Sequence, residues 1–175
     1  DEITFAGNIN TNIENLNPDY PNALLSIDKP FITINGATYI LDTLYVNSRP
    51  TSDSVQNIEL NIANIMRGHM TGHMPLTSIA KVGLAHVNQY MKLTEKTDIP
   101  SINYNMDMAA TINYHPLMKR VMPELKPFDT IRMFANITPT NLNAGMFAPK
   151  IRYSDMIIDT VTFLATEQDS VLSYV

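Results

Sequence analysis

The sequence predicts a β-dominated α+β fold, with an antiparallel sheet closed or half-closed into a sandwich or barrel. Most of the chain consists of short runs rich in β-branched and aromatic residues whose polarity alternates, which is typical of half-buried strands. An Asn-Gly pair separates two of these runs and favours a hairpin. Apolar residues at helical spacing lie between residues 53 and 95, where one or two helices are expected.

Residues 1–30 are rich in Asn, Asp and Pro and have little sustained apolar periodicity. This composition predicts an extended N-terminal arm, so residues 31–175 are expected to form a single β-rich domain. The domain begins with two strand-like runs in "KPFITINGATYILDTLYV", separated by Asn35 and Gly36. Because Asn-Gly takes the positive φ values of a type I′ turn, whose twist matches paired strands, a hairpin is predicted here.

The first helix is predicted between Asp53 and Gly68. Apolar residues in this segment recur at helical spacing, for example at Ile58 and Ile62. Asp53 can cap the first turn and Gly68 can end the last one. The alternation of Ile58, Leu60 and Ile62 leaves a strand as the alternative.

A second helix is predicted over residues 78–93. Ile79, Val82 and Tyr90 lie near one side of it. Gly83 weakens the helix by about 1 kcal/mol relative to alanine, which leaves a strand open as the alternative.

Residues 101–115, "SINYNMDMAATINYH", change polarity at nearly every step, which is a period of two. In an extended chain one side carries Ile102, Tyr104, Met106, Met108, Ala110, Ile112 and Tyr114, and the other carries Asn103, Asn105, Asp107, Ala109, Thr111, Asn113 and His115. Pro100 and Pro116 bracket the run as strand breakers. One long strand, or two with a bend at Ala109 and Ala110, is predicted, with the amide-rich side facing water or a polar partner.

Three later runs are also predicted to be strands because they are dense in β-branched residues. They are "DTIRMFANITP" (129–139), "DMIIDTVTFLAT" (155–166) and "SVLSYV" (170–175). The intervening segment "TNLNAGMFAPK" (140–150) is predicted to be a loop, since Asn, Gly and Pro punctuate it. About five to seven strands are expected in total.

The composition is that of a soluble globular protein, with 175 residues of which 45% are hydrophobic and 17% are charged. The chain has no cysteine, which excludes disulfides, thiolate metal sites and a cysteine nucleophile. No apolar run approaches the roughly 18 residues that a membrane helix needs, so no membrane partner is expected.

The net charge of −5 argues against generic nucleic-acid binding. Residues 1–66 hold two basic and eight acidic side chains, residues 67–152 hold ten and five, and residues 153–175 hold none and four. Acidic ends around a basic middle would suit copies of one protein that meet through unlike surfaces. The alternative is that folding intermixes these segments on one surface.

The segment "RGHMTGHMP" contains the best candidate for a metal site. His69 and His73 are four residues apart, and Met70 and Met74 could add soft ligands suited to copper. The two glycines and Pro75 predict a turn, however, which removes the helical geometry. We therefore favour a mobile or interface loop whose methionines make adaptable contacts, with metal binding as the minor alternative.

No nucleophile elbow, paired catalytic acids or phosphate-binding loop occurs in the sequence, so no enzyme activity and no cofactor are expected. The preferred hypothesis is a non-enzymatic structural protein that self-assembles or docks into a larger particle, such as a capsid, tail or attachment subunit of a virion or phage. Its partners would be copies of itself and other particle proteins. The interface candidates are Met70, Met74, Asn103, Asn105, Asp107 and Asn113.

Two alternatives remain open at this stage. The first is a ligand-binding β module for carbohydrate or protein, in which the amides of residues 101–115 meet the ligand. The second is a small His/Met metal-binding protein built around His69 and His73. The structural hypothesis alone predicts a location, which is the virion.

Overall fold

The computed structural model describes residues 3–52, 54–91, 103–168 and 171–174, in thirteen strands and three helical segments. The strands are β1 (Ile3–Asn15), β2 (Asn22–Ile34), β3 (Ala37–Ile40), β4 (Leu44–Ser52), β5 (Val55–Ile62), β6 (Met66–His73), β7 (Asn105–Ile112), β8 (Ile131–Thr138), β9 (Asn141–Ala148), β10 (Ile151–Tyr153), β11 (Met156–Ile158), β12 (Val161–Gln168) and β13 (Val171–Tyr174). The helical segments are a 3-10 turn (Leu76–Ser78), α1 (Ile79–Met91) and α2 (Met118–Val121). Among the described residues, no helix has the length and apolarity to cross a bilayer.

Eleven of the strands form one antiparallel sheet in the order β1-β2-β4-β5-β6-β7-β8-β9-β12-β13, with β3 paired to β2. Strands β10 and β11 form a separate hairpin. The β-dominated class is confirmed, with more strands than the sequence predicts. Within the described residues β1 and β13 are the two edges, and they do not pair with each other, so the expected closure into a sandwich or barrel is not confirmed.

Several predicted elements are confirmed. The hairpin at Asn35 and Gly36 joins β2 and β3, and both turn residues have positive φ, 49° and 79°. Helix α1 occupies the second predicted helical region, and the strand predicted over residues 101–115 is β7, with Ser101 and Ile102 outside the described residues. Strands β8 and β13 also lie where the sequence predicts them, while the run at 155–166 divides into β11 and β12.

The helix predicted between residues 53 and 68 is wrong. This segment forms β5 and β6, which pair antiparallel from Ile62 opposite Met66 to Gln56 opposite Gly72. A spacing of four residues is shared by a helical face and a strand face, so Ile58 and Ile62 could not distinguish them. The turn between the strands uses positive φ at Ala63 and Asn64, and the proposed capping residue, Asp53, lies outside the described residues.

Two predicted loops are also wrong. The segment "RGHMTGHMP" forms most of β6, and residues 141–148 of the second loop form β9. In both, glycine serves close packing inside a strand. A Cβ on Gly72 would lie 2.7 Å from Met106 Cα, and one on Gly145 would lie 2.5 Å from the Phe134 ring. A neighbouring strand or aromatic ring approaches too closely for a side chain at these two positions, so glycine is required there. The local sequence does not reveal this close approach.

The core lies at one end of one sheet face, which we call the helix face because α1 covers it there. Its buried cluster is Met74, Val82, Tyr104, Met106 and Ile137. The connection between β1 and β2 also covers this end, since the Leu76 amide donates to the Asp19 carbonyl at 3.1 Å and Gln56 Nε2 donates to the Pro21 carbonyl at 2.7 Å. The rest of the helix face extends beyond α1 and the β1–β2 connection. We call the opposite face of the sheet the polar face.

Candidate functional site

The polar face carries a continuous row of polar side chains across eight strands. Successive cross-strand partners in this row are Arg49, Asn57, Thr71, Asp107, Asn136, Asn143, Thr166 and Ser173. Asn136 Nδ2 donates to Asp107 Oδ1 at 2.6 Å, and Thr71 Oγ1 donates to Asn57 Oδ1 at 3.2 Å. The row is therefore partly self-satisfied by hydrogen bonds between neighbouring strands.

The polar side chains that the sequence predicts on one side of residues 101–115 lie in different environments. Asn103, Asn105 and Asp107 are exposed, while Met106 between the last two is buried. Asn113 is half-buried and acts within the chain. Its Nδ2 donates to the Asn64 carbonyl at 3.0 Å, and its Oδ1 accepts from Thr130 Oγ1 at 2.7 Å. The first three are thus available on the surface, whereas Asn113 ties the β5–β6 turn to the end of β7.

The two candidate methionines also differ. Met74 is 1% exposed and belongs to the core cluster, while Met70 is half-buried against it. Met70 lines an open part of the helix face, described below. Their role as contacts to another protein stays a prediction, and Met70 is the one with an open surface beside it.

The strand geometry of β6 separates the two candidate metal ligands. His69 and His73 are four residues apart on one face, which places their Cα atoms about 13 Å from each other. Side chains stand roughly perpendicular to a sheet, so both imidazoles cannot ligate one ion in this conformation. In the described part of the chain, no cluster of three or more His, Cys, Asp or Glu residues could hold a metal.

An apolar groove of about 350 Å³ lies on the helix face beyond the core. We use the name for the surface formed by Ile58, Leu60, Gly68, Met70, Met108, Ala110, Met133 and Ala135. Cross-strand pairing aligns Leu60, Gly68, Ala110 and Met133 across its floor. The small residues lower the floor while the larger ones form its walls. Such a surface can bind apolar side chains, but it offers almost no polar group to orient a small ligand.

A second depression, of about 830 Å³, lies between residues 126–129 and the β10–β11 hairpin. Its charged lining residues are Lys126, Asp129, Lys150, Arg152 and Asp155. Because both signs of charge are present at similar numbers, the depression does not favour an anionic or a cationic ligand.

The first strand exposes an apolar stripe along the edge of the sheet. Ile3, Phe5, Ile9 and Ile13 lie on one side of β1 and are 66%, 50%, 67% and 54% exposed. Pairing with β2 continues this side into the helix face. The other edge of β1 has no partner strand in the described chain, and Glu14 is the strand's sole charged residue. We call these four side chains the β1 stripe.

Sequence reasoning missed the β1 stripe and the apolar groove. The stripe was visible as alternation at odd positions, but Gly7 and Thr11 interrupt it and asparagine dominates the even positions. The groove could not be found this way, since its lining comes from β5 to β8 and one of those strands, β6, was predicted to be a turn. Residues from four strands become neighbours only through the sheet order.

Comparisons with known proteins give no relative from which a function could be transferred. A scan against protein-family models found no match. A search of curated proteins and a search of solved structures also found none. The surfaces of the chain itself therefore supply the basis for its proposed function.

Proposed function

We propose that this chain is a non-enzymatic structural subunit that assembles with copies of itself and with other proteins of a larger particle, such as a virion or phage. The observation that carries the proposal is the β1 stripe. Soluble proteins usually protect long edge strands with charges, prolines or covering segments, because free backbone groups beside apolar side chains invite another strand. Strand β1 has thirteen residues and one charge.

Covering the stripe would be energetically favourable. Full burial of an isoleucine or phenylalanine side chain contributes roughly 1.5–3 kcal/mol relative to exposure. The four stripe side chains are each at least half exposed. Even partial burial of this set by another chain would supply several kcal/mol toward association, before its entropic cost.

The apolar groove offers a second contact surface on the same side of the sheet. Its wall residues Met70, Met108 and Met133 have flexible side chains that adapt to an incoming apolar group. The polar face, with Asn105 and Asp107 exposed, would remain toward water or a polar partner. The polar face also exposes Phe134, Phe147 and Leu164, so a subunit of this shape could contact different partners on its two sides.

The expected closed or half-closed sandwich or barrel is part of this proposal. The described path already contains ten hydrogen-bonded strands and ends in two edges. Open twisted sheets rarely exceed about ten strands without curling or splitting into packed layers. Pairing between copies would lengthen the sheet and favour such curling, so closure is proposed as a property of the assembly.

The experiment is size-exclusion chromatography with light scattering over a wide range of protein concentration. We expect dimers and larger oligomers whose share rises with concentration, because association buries part of the β1 stripe. Ile9→Lys should reduce assembly strongly, since a lysine in the middle of an edge strand opposes pairing. The matched control is Ile40→Lys, at a residue 77% exposed on β3, which should assemble normally. A wild-type chain that remains strictly monomeric at high concentration would contradict the proposal.

A binding module for an apolar segment of another protein is the second candidate, favoured by the apolar groove. Its lining argues against carbohydrate, whose recognition needs several polar groups. The same chromatography separates the two candidates, since a monomer that binds a different protein through the groove fits a module and does not fit a self-assembling subunit.

A further inference from the structure

We propose that β1 pairs antiparallel with β1 of a second copy, about a two-fold axis that is perpendicular to the sheet and passes midway between the two Ile9 residues. This inference rests on the proposed function, because it names the partner and the register of the first assembly contact. The occupant of the edge is thus a second copy of this chain, joined by main-chain hydrogen bonds between identical strands.

The length of β1 favours another β1 as its partner. At the opposite edge of the described sheet, β13 has four residues, against thirteen in β1. A head-to-tail contact between β1 and the four described residues of β13 would therefore leave most of β1 unpaired. Two β1 strands match completely, and an interface that uses the same patch twice closes as a dimer without requiring a second complementary surface.

The register follows from the strand bounds. Full overlap of Ile3–Asn15 with itself in antiparallel orientation sets Ile9 opposite Ile9. Phe5 then lies opposite Ile13, and Asn8 lies opposite Asn10. Each pair joins two odd-numbered or two even-numbered residues, so both β1 stripes lie on one side of the joined sheet. The helix faces of the two copies then form one continuous surface.

Charge also favours this register. Glu14 lies opposite Thr4, so the strand's one charge meets a neutral side chain. The pairing of β1 with β2 has two register shifts. The first places its extra residue in β2, and the second places Glu14 as an extra residue near the end of β1. The irregularity of β1 itself is therefore confined to that end.

Disulfide cross-linking tests the register, and the absence of cysteine from the chain makes every introduced thiol unique. Ile9→Cys should form a covalent dimer under mild oxidation, because directly opposed residues have Cα atoms about 4.5–5.5 Å apart, within disulfide range. Ile13→Cys alone should not, since two copies of residue 13 would be roughly 26 Å apart. We expect about ten-fold more dimer from Ile9→Cys on a non-reducing gel.

A mixed experiment gives an independent readout. Phe5→Cys and Ile13→Cys should each fail to cross-link alone but form a disulfide heterodimer when combined, because the proposed register sets them opposite each other. All three positions are at least half exposed, so the variants should fold.

The outcomes separate this inference from the function on which it rests. Oligomers by light scattering together with equal cross-linking of Ile9→Cys and Ile13→Cys would overturn β1 pairing and leave self-assembly standing. Preferential cross-linking of Asn8→Cys would overturn the Ile9-centred register. A strict monomer would contradict both.

Discussion

The core end and the β1 edge of the same sheet face differ in what covers them. At one end, α1 and the β1–β2 connection leave Tyr104 and Met106 about 1% exposed. At the edge of the sheet, the β1 stripe has the same alternating pattern, and Ile9 is 67% exposed. The difference teaches that alternation makes a strand two-sided, while burial depends on a covering element, which β1 lacks among the described residues.

The largest expected effect tests the covered end. Met106→Ala should lower the free energy of unfolding by about 2–5 kcal/mol, because it removes a buried side chain and leaves a cavity in the core cluster. Ile9→Ala should change it by less than about 0.5 kcal/mol in the monomer, because the side chain is mostly exposed. Urea unfolding at a concentration where light scattering reports monomer measures both.

Met106→Leu is the control for Met106, since this volume-conserving change should cost less than about 1.5 kcal/mol. Similar losses for Met106→Ala and Ile9→Ala would break the contrast between the core and the β1 edge. The β1 stripe would then contribute to folding of the single chain, and its proposed role in assembly would lose its basis.

An intermediate effect is expected at the glycines of β6. Gly72→Ala should destabilise by about 1–3 kcal/mol, because its Cβ would lie 2.7 Å from Met106 Cα and force β7 away. Gly68→Ala is a matched control on the same side of the same strand. The nearest atom to its Cβ would be the Ala109 carbonyl oxygen at 3.7 Å, an ordinary contact. Urea unfolding should therefore show Gly68→Ala to be neutral or slightly stabilising, and equal effects at both positions would contradict the close approach of β7.

Much of the fold could be predicted where the signal is local. The Asn35–Gly36 hairpin follows from the backbone preferences of two adjacent residues, and β7 follows from a strict period of two. Helix α1 was predictable despite Gly83, since apolar spacing and length agreed. In each case the residues that decide the structure lie within one element.

The rest depends on neighbours that the sequence does not place. Gly72 and Gly145 resemble turn glycines, and only the adjoining strand or aromatic ring explains why they stand inside strands. The candidate surfaces have the same origin. The exposure of Ile9 depends on the absence of a covering element over β1 in the described chain, and the apolar groove depends on strand order. Residue patterns could therefore predict elements but not the surfaces that remain open between them.

The smallest expected effect concerns the polar face. Asp107 Oδ1 accepts from Asn136 Nδ2 at 2.6 Å on adjacent strands, at an exposed site. A double-mutant cycle with Asp107→Ala and Asn136→Ala, measured by urea unfolding, should give a coupling of about 0.2–1 kcal/mol, typical of exposed cross-strand pairs. A value this small means that the polar row contributes little to folding, so its side chains remain available for contact with water or a partner. A coupling well above this range would make the row part of the structural framework, and polar recognition would then have to involve other residues, such as Asn103 and Asn105.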